Sequence, residues 1–205
     1  MTKRINTKKK FSRKLGVNLW GQAKDSFEKR NYRPGQHGKS SKGRSSDYGI
    51  QLRAKQKMKF YYGNISEKQF RNTFALAYKM KGDVSENFIA LLESRLDTVV
   101  YRANFVPTVF AARQFVSHKH ITVNGKSVNI PSYKLKVGDI VQVRDKSKNL
   151  TIVMDSVSKL ERDIPSYLQF DKDSLTIKLF AKPSFAEVPY PTEMEPHLVT
   201  EFYSR

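Results

Sequence analysis

Arg113 and Ser117 stand one helical turn apart, and His118, Lys119 and His120 follow directly, so five hydrogen-bond donors share one ridge. Such donors suit phosphates and 2′-hydroxyls. A guanidinium grips a phosphate through a fork of parallel hydrogen bonds, whereas Lys119 and Lys126 act as point charges. Asn124-Gly125 lies between them in the chain, and its backbone allows close approach. Only four acidic side chains fall between residues 94 and 160, which favours an RNA contact over a surface salt bridge for Arg113 and Lys119. For His118 and His120 a capping or packing role weighs as much as an RNA contact. Further cationic sets are Arg33, His37 and Arg44 near the N-terminus, Arg53 with Lys57, and Arg95 with Arg102, which seven-residue spacing returns to one helix face. Catalysis has no comparable set, since no Gly-rich loop cradles a nucleotide and no nucleophile stands beside a base. Without cysteine, and with four histidines that form no spaced ligand set, the chain is expected to carry no disulfide, no metal and no cofactor.

The elements that must position these groups follow from charge and periodicity. The 205 residues carry 38 Lys and Arg against 19 Asp and Glu, a formal charge of +19, so a polyanion is the expected partner. Residues 1 to 60 hold 18 basic and 3 acidic side chains and residues 94 to 160 hold 11 and 4, whereas residues 161 to 205 hold 5 and 8. Residues 1–46, interrupted by Pro34, Gly35, Gly38 and Gly43, read as a basic arm that folds mainly against its partner, with Trp20, Phe27 and Tyr32 able to stack on unpaired bases. The helix that follows is basic on two sides, Arg53 and Lys57 on one and Lys55 and Lys59 on the other, which suits either a place between RNA elements or a solvated surface. Ser66 with Gln69 makes a capping box for the next helix, whose apolar stripe is Phe70, Phe74 and Tyr78 and whose stop is Gly82. Another amphipathic segment runs from Ser85 through Phe88, Leu92, Leu96 and Val99. Thr108 is placed to cap a helix with Val109, Ala112 and Phe115 or Val116 turned inward. Ile121 and Val123 then alternate into a strand, Asn124-Gly125 makes a type I′ hairpin turn, and Gly138-Asp139 makes a second turn.

From Leu92 to Val143 the chain resembles the S4 RNA-binding domain, on SRLD at 94–97, AARQFVSHKHITVNG at 111–125 and KVGD at 136–139. RPGQHG at 33–38, SDYGIQLRAKQK at 46–57, YYGNISEKQFRNTF at 61–74 and HLVTEFYSR at 197–205 extend the likeness to nearly the full chain. With these flanks it is similar to the bacterial-type S4 family of small-subunit ribosomal proteins. The resemblance implies an α+β fold: a basic arm (1–46), a helical domain (47–93), an inserted S4 RNA-binding domain (94–157) of two helices and a small twisted antiparallel sheet, and a segment (158–205) returning to pack on the helical domain. It implies a primary binder of small-subunit rRNA at a multi-helix junction in the 5′ part of that RNA, which nucleates assembly of the subunit body. The same resemblance implies contact with protein S5, a place beside the path by which mRNA enters, support of translational accuracy and, in some bacteria, repression of its own message. Many members hold zinc with N-terminal cysteines, which are absent here, so the chain resembles the metal-free forms. Many S4 domains also carry a basic and an acidic residue just after the position of Thr108. Val109 and Ala111 stand there in this chain, and neither supplies a phosphate contact or completes a capping box.

An RNA-modifying enzyme is the competing reading, because S4 domains also occur in pseudouridine synthases and tyrosyl-tRNA synthetases. About 90 residues precede the domain and about 45 follow it, and neither stretch shows a catalytic set. A peripheral membrane protein would need a broad apolar helix face beside the charge, which the arm lacks. No apolar run approaches the roughly 20 residues of a bilayer span, and MTKRINTKKK lacks a secretory or transit pattern. A cytoplasmic, ribosome-bound chain from a bacterium or an organelle genome is therefore expected, with no membrane partner and no small-molecule substrate.

Overall fold

The structure is a computed structural model that describes residues 8–40 and 46–204. In chain order it forms α1 (Lys8–Leu15), α2 (Ser26–Lys29), α3 (Asp47–Tyr61), α4 (Glu67–Lys79), α5 (Val84–Glu93), α6 (Leu96–Arg102) and α7 (Val109–Ser117). After these come β1 (Ile121–Val123), β2 (Lys126–Ser127), β3 (Ile140–Val143), α8 (Asp145–Lys148), α9 (Thr151–Lys159), β4 (Leu168–Asp171), β5 (Thr176–Leu179), a 3-10 turn (Phe185–Glu187) and α10 (Pro196–Ser204). An α+β fold with a small antiparallel sheet is borne out. Two compact units divide the chain, one of residues 1–65 with 190–205 and the other of residues 66–189. The boundaries expected at residues 46, 93 and 157 fall inside these units.

In the first unit the basic N-terminal stretch builds a small core of its own. Phe11, Leu15 and Leu19 are buried, and the Phe11 ring stacks on Phe60 of α3 at 4.0 Å. Asp25 caps α2 by accepting from the Phe27 N–H, and its other oxygen accepts from the buried Ser12 hydroxyl at 2.8 Å. The expectation of an arm folding mainly against its partner is thus corrected. Trp20, expected to stack on bases, is half-buried and donates from Nε1 to the Tyr61 carbonyl. Helix α3 has protein on two sides, which explains its two basic faces: α10 lies along it. Gln51 donates to Glu201, Lys57 pairs with Glu195 at 3.1 Å, and the buried Lys55 ammonium sits 4.2 Å from the centre of the Phe202 ring. Aliphatic stems of lysine pack well against such a neighbour while the head group finds a carboxylate or a ring face.

In the second unit α4 and α5 form a hairpin locked by Phe70 and Phe74, both edge-on to Phe88. Ser66 caps α4 by accepting from the Gln69 N–H. Tyr78, assigned to the same stripe, is 71% exposed and lies outside the core. The segment expected to run from Ser85 to Val99 is two helices, because the chain turns at Ser94 and Arg95; Asp83 caps the first of them. The sheet has the order β2-β1-β3-β5-β4 and is antiparallel throughout. Ile121, Val123, Val141, Val143, Ile177 and Leu179 fill one face by strict alternation, so β4 and β5 complete the sheet begun by β1 and β3. Of the C-terminal stretch, only the segment from residue 190 onward joins α3.

Candidate nucleic-acid interface

The ridge around α7 is locally encoded. Thr108 caps the helix by accepting from the Ala111 N–H, and Val109, Ala112, Phe115 and Val116 are buried, which turns Arg113 and Ser117 outward. Lys119 adopts a left-handed backbone (φ 62) that ends the helix and starts β1, a conformation disfavoured for a residue with a Cβ. Arg144 secures it by donating from Nη1 to the Lys119 carbonyl at 3.0 Å. Ser117, His118 and Lys119 are exposed, with the Ser117 hydroxyl donating back to the Arg113 carbonyl. His120 is half-buried, its ring stacked on Phe115 and its Nδ1 2.8 Å from the Ser147 hydroxyl. Burial holds this imidazole below its ordinary pKa of 6.5, and the charges of His118 and Arg144 push the same way. His120 is therefore a packing residue at the edge of the ridge, and His118 a surface one.

The hairpin turn has the expected geometry, with φ of 49 at Asn124 and 77 at Gly125. Lys126 is exposed just beyond it. Asn124 serves a structural purpose: its amide donates to Asp139 and its oxygen accepts from the Ile140 N–H, both at 2.9 Å. This bonding ties the turn to β3 and leaves Lys126 as an exposed cation on the hairpin.

Three of the sequence candidates are held by the protein itself, two of them buried. Arg102 is buried, forks onto Glu93 at 2.9 and 3.0 Å, and donates to the Pro189 carbonyl, while Tyr167 donates to the same Glu93. Arg95 is buried and forks onto Asp97 at 2.8 and 3.0 Å. Lys57 bonds Glu195 and the Glu193 carbonyl. Helical spacing identified the shared face of Arg95 and Arg102 but not what covers it, so their assignment as RNA contacts is corrected. Arg113 is intermediate, 15% exposed at its side chain, with Nη1 3.1 Å from Asp97 Oδ2. The salt bridge that sequence reasoning weighed against an RNA contact is therefore present.

The first unit holds a second cationic surface, a cleft of about 650 Å³ lined by Arg13, Lys14, Tyr32, Arg33, Lys39 and Arg53, with no carboxylate in its lining. Arg33 and Arg53 are expected residues of this site, and His37 is exposed in the loop beside it. Arg44 lies outside the described residues. Arg13 shapes the wall by donating to the carbonyls of Tyr32 and Arg33 and by lying 4.8 Å from the Tyr32 ring centre, with Lys39 at 5.4 Å. Gly38 is needed for the tight return of this loop, because a Cβ there would stand 1.8 Å from the Arg33 carbonyl oxygen. Sequence reasoning missed Arg13, Lys14, Lys39 and Arg144; the local charge density around the first three was its available signal.

Among the described residues no group of three or more His, Cys, Asp or Glu could hold a metal ion, and no helix is long and apolar enough to cross a membrane. Residues 3–93 match the family model described as ribosomal protein S4/S9 N-terminal domain, and residues 94–141 match the S4 domain. The chain is 56% identical over 205 residues, the whole of both chains, to the small ribosomal subunit protein uS4 of Azorhizobium caulinodans. It is 57% identical over 204 residues to the protein of that name from Caulobacter vibrioides and 58% identical over 205 residues to the one from Rhizobium rhizogenes, again over the full length of each.

Proposed function

The chain belongs to the family of small ribosomal subunit protein uS4, and on that premise we propose that it grips ribosomal RNA with two cationic surfaces, the cleft and the α7 ridge with its hairpin. As a member of that family it is a structural constituent of the small ribosomal subunit and not an enzyme, and its place is the ribosome. The observation that carries the two-surface reading is the cleft, where five cationic side chains line one concavity and no carboxylate is among its lining residues. Arg33, His37 and Arg53 act there, and Arg113, Ser117, His118, Lys119 and Lys126 act on the ridge, meeting phosphates and 2′-hydroxyls and so fixing register on folded RNA. If about 8 phosphates are met in all, log K falls against log salt with a slope of about −6 to −7. Titration of small-subunit rRNA and of a scrambled RNA at several salt concentrations tests this. Equal affinity for the two RNAs at every salt concentration would sink the reading.

The protein binds its RNA early, nucleates the subunit body, and supports decoding accuracy through a contact with S5. Tyr48 and Ile50 are exposed on α3, and the Tyr48 ring centre lies 5.6 Å from that of Phe202 of α10, which supports a protein-facing apolar patch on this unit. Replacing Tyr48 and Ile50 by Ser should raise misreading on a near-cognate reporter while subunit incorporation stays normal. An unchanged error rate in incorporated subunits counts against the S5 contact.

A further inference from the structure

The start of α6 brings two guanidiniums onto one carboxylate. Asp97 is 1% exposed, and its Oδ2 lies 2.8 Å from Arg95 Nη2 and 3.1 Å from Arg113 Nη1. Lys134 stands across an isolated bridge from Arg95, and burial followed by the Arg95 charge holds its ammonium below the ordinary lysine value. The loop carrying Lys134 is stitched to the helix start: the N–H groups of Leu96 and Asp97 donate to the carbonyls of Tyr133 and Pro131, and the Leu135 N–H donates to the Ser94 carbonyl. Asp97 therefore cannot shift without the loop, and Arg95 already holds it in a two-point fork. Two guanidiniums thus converge on one buried carboxylate, and one of them, Arg113, reaches the surface of the ridge.

We propose that Asp97 is a positioning residue for RNA, a buried carboxylate that holds the Arg113 guanidinium in place before a backbone phosphate arrives. The inference rests on the ridge reading above and goes beyond it by giving an internal residue a share in binding. A long side chain otherwise loses rotamer freedom when it binds, and a guanidinium ordered in advance loses less. Arg95 belongs to the same device through its fork on Asp97, which is the part it keeps in recognition although it is buried.

The test turns on a sign. Asp97→Asn makes the chain more positive, so a protein that attracts RNA by charge alone should bind as well or better. Positioning requires the opposite, a loss of about tenfold in affinity for small-subunit rRNA and a salt slope flatter by about 1 in the full-length protein. In an Arg113→Gln background the Asp97 change should then alter affinity less than about twofold, since the group it positions is gone. Melting curves establish that each variant is folded. Folded Asp97→Asn protein that binds like the parent or tighter, while Arg113→Gln binds weakly, overturns the positioning alone. If Arg113→Gln itself binds like the parent, the ridge reading fails with it. Should Asp97→Asn unfold, the unsubstituted chain decides: NMR relaxation of the Arg113 Nε–H, without RNA, should show order close to the backbone's. Mobility equal to that of the exposed Arg71 side chain would overturn the proposal.

Discussion

In residues 8–65 with 190–204, Arg13, Lys14, Arg33, Lys39 and Arg53 surround an open cleft that has no carboxylate in its lining, whereas in residues 66–189 Arg95, Arg102 and Arg113 each lean on an internal carboxylate. The difference teaches what a basic composition is used for. Cations crowded around one concavity raise its positive potential, which favours a polyanion. Cations forked onto buried carboxylates are neutralised internally, and removing one member leaves an uncompensated charge in a dry place. The same residue type therefore lines an open cleft in one region and pairs with buried carboxylates in the other.

Breaking the Glu93–Arg102 pair should give the largest effect. Arg102→Met leaves the Glu93 carboxylate buried without its guanidinium and should cost about 3 to 5 kcal/mol, whereas the double change with Glu93→Leu should recover most of the loss. Urea denaturation of the single and double variants measures this, and a single variant as stable as the parent would remove the internal half of the comparison. Next, Gly125→Val forces a branched side chain into a φ of 77 and should cost about 1 to 3 kcal/mol, confined to the unit of residues 66–189. Hydrogen exchange resolved by residue should show faster opening there and not around α3.

The converse is a change in binding without a change in folding. Replacing Arg33, Lys39 and Arg53 together by Gln should flatten the salt slope for RNA by about 2 to 3 units and leave the melting temperature equal or slightly higher at low salt. A marked fall in melting temperature would show that the cleft cations hold the fold as the buried ones do. The smallest effect concerns pH. Because His120 has its folded pKa below the unfolded 6.5, its contribution to stability is complete above 6.5 and is lost as pH falls through the folded value. Between pH 7 and pH 5 the parent should lose more stability than His120→Gln, and parallel curves for the two would dismiss the packing role.

Much of this architecture could be read from the chain because it is written in short-range chemistry. The caps at Ser66 and Thr108, the inward set Val109, Ala112, Phe115 and Val116, and the Asn124-Gly125 turn each depend on neighbours a few positions away, so residue type and spacing determined them. The ridge of Arg113, Ser117 and Lys119 came from the same local patterns, whereas the α+β class and the family came from the resemblance of the chain's motifs. Only the tertiary structure decided which cations face outward. Glu93 accepts from Arg102 and from Tyr167, 74 positions away, and Lys57 meets Glu195 across 138 positions. A helical period tells which side chains share a face, but burial of that face depends on what distant segment covers it, and α10 over α3 or Tyr167 over Glu93 leaves no mark at the covered positions. Arg95 and Arg102 therefore looked like contacts for RNA, and the fold made them its own counter-ions.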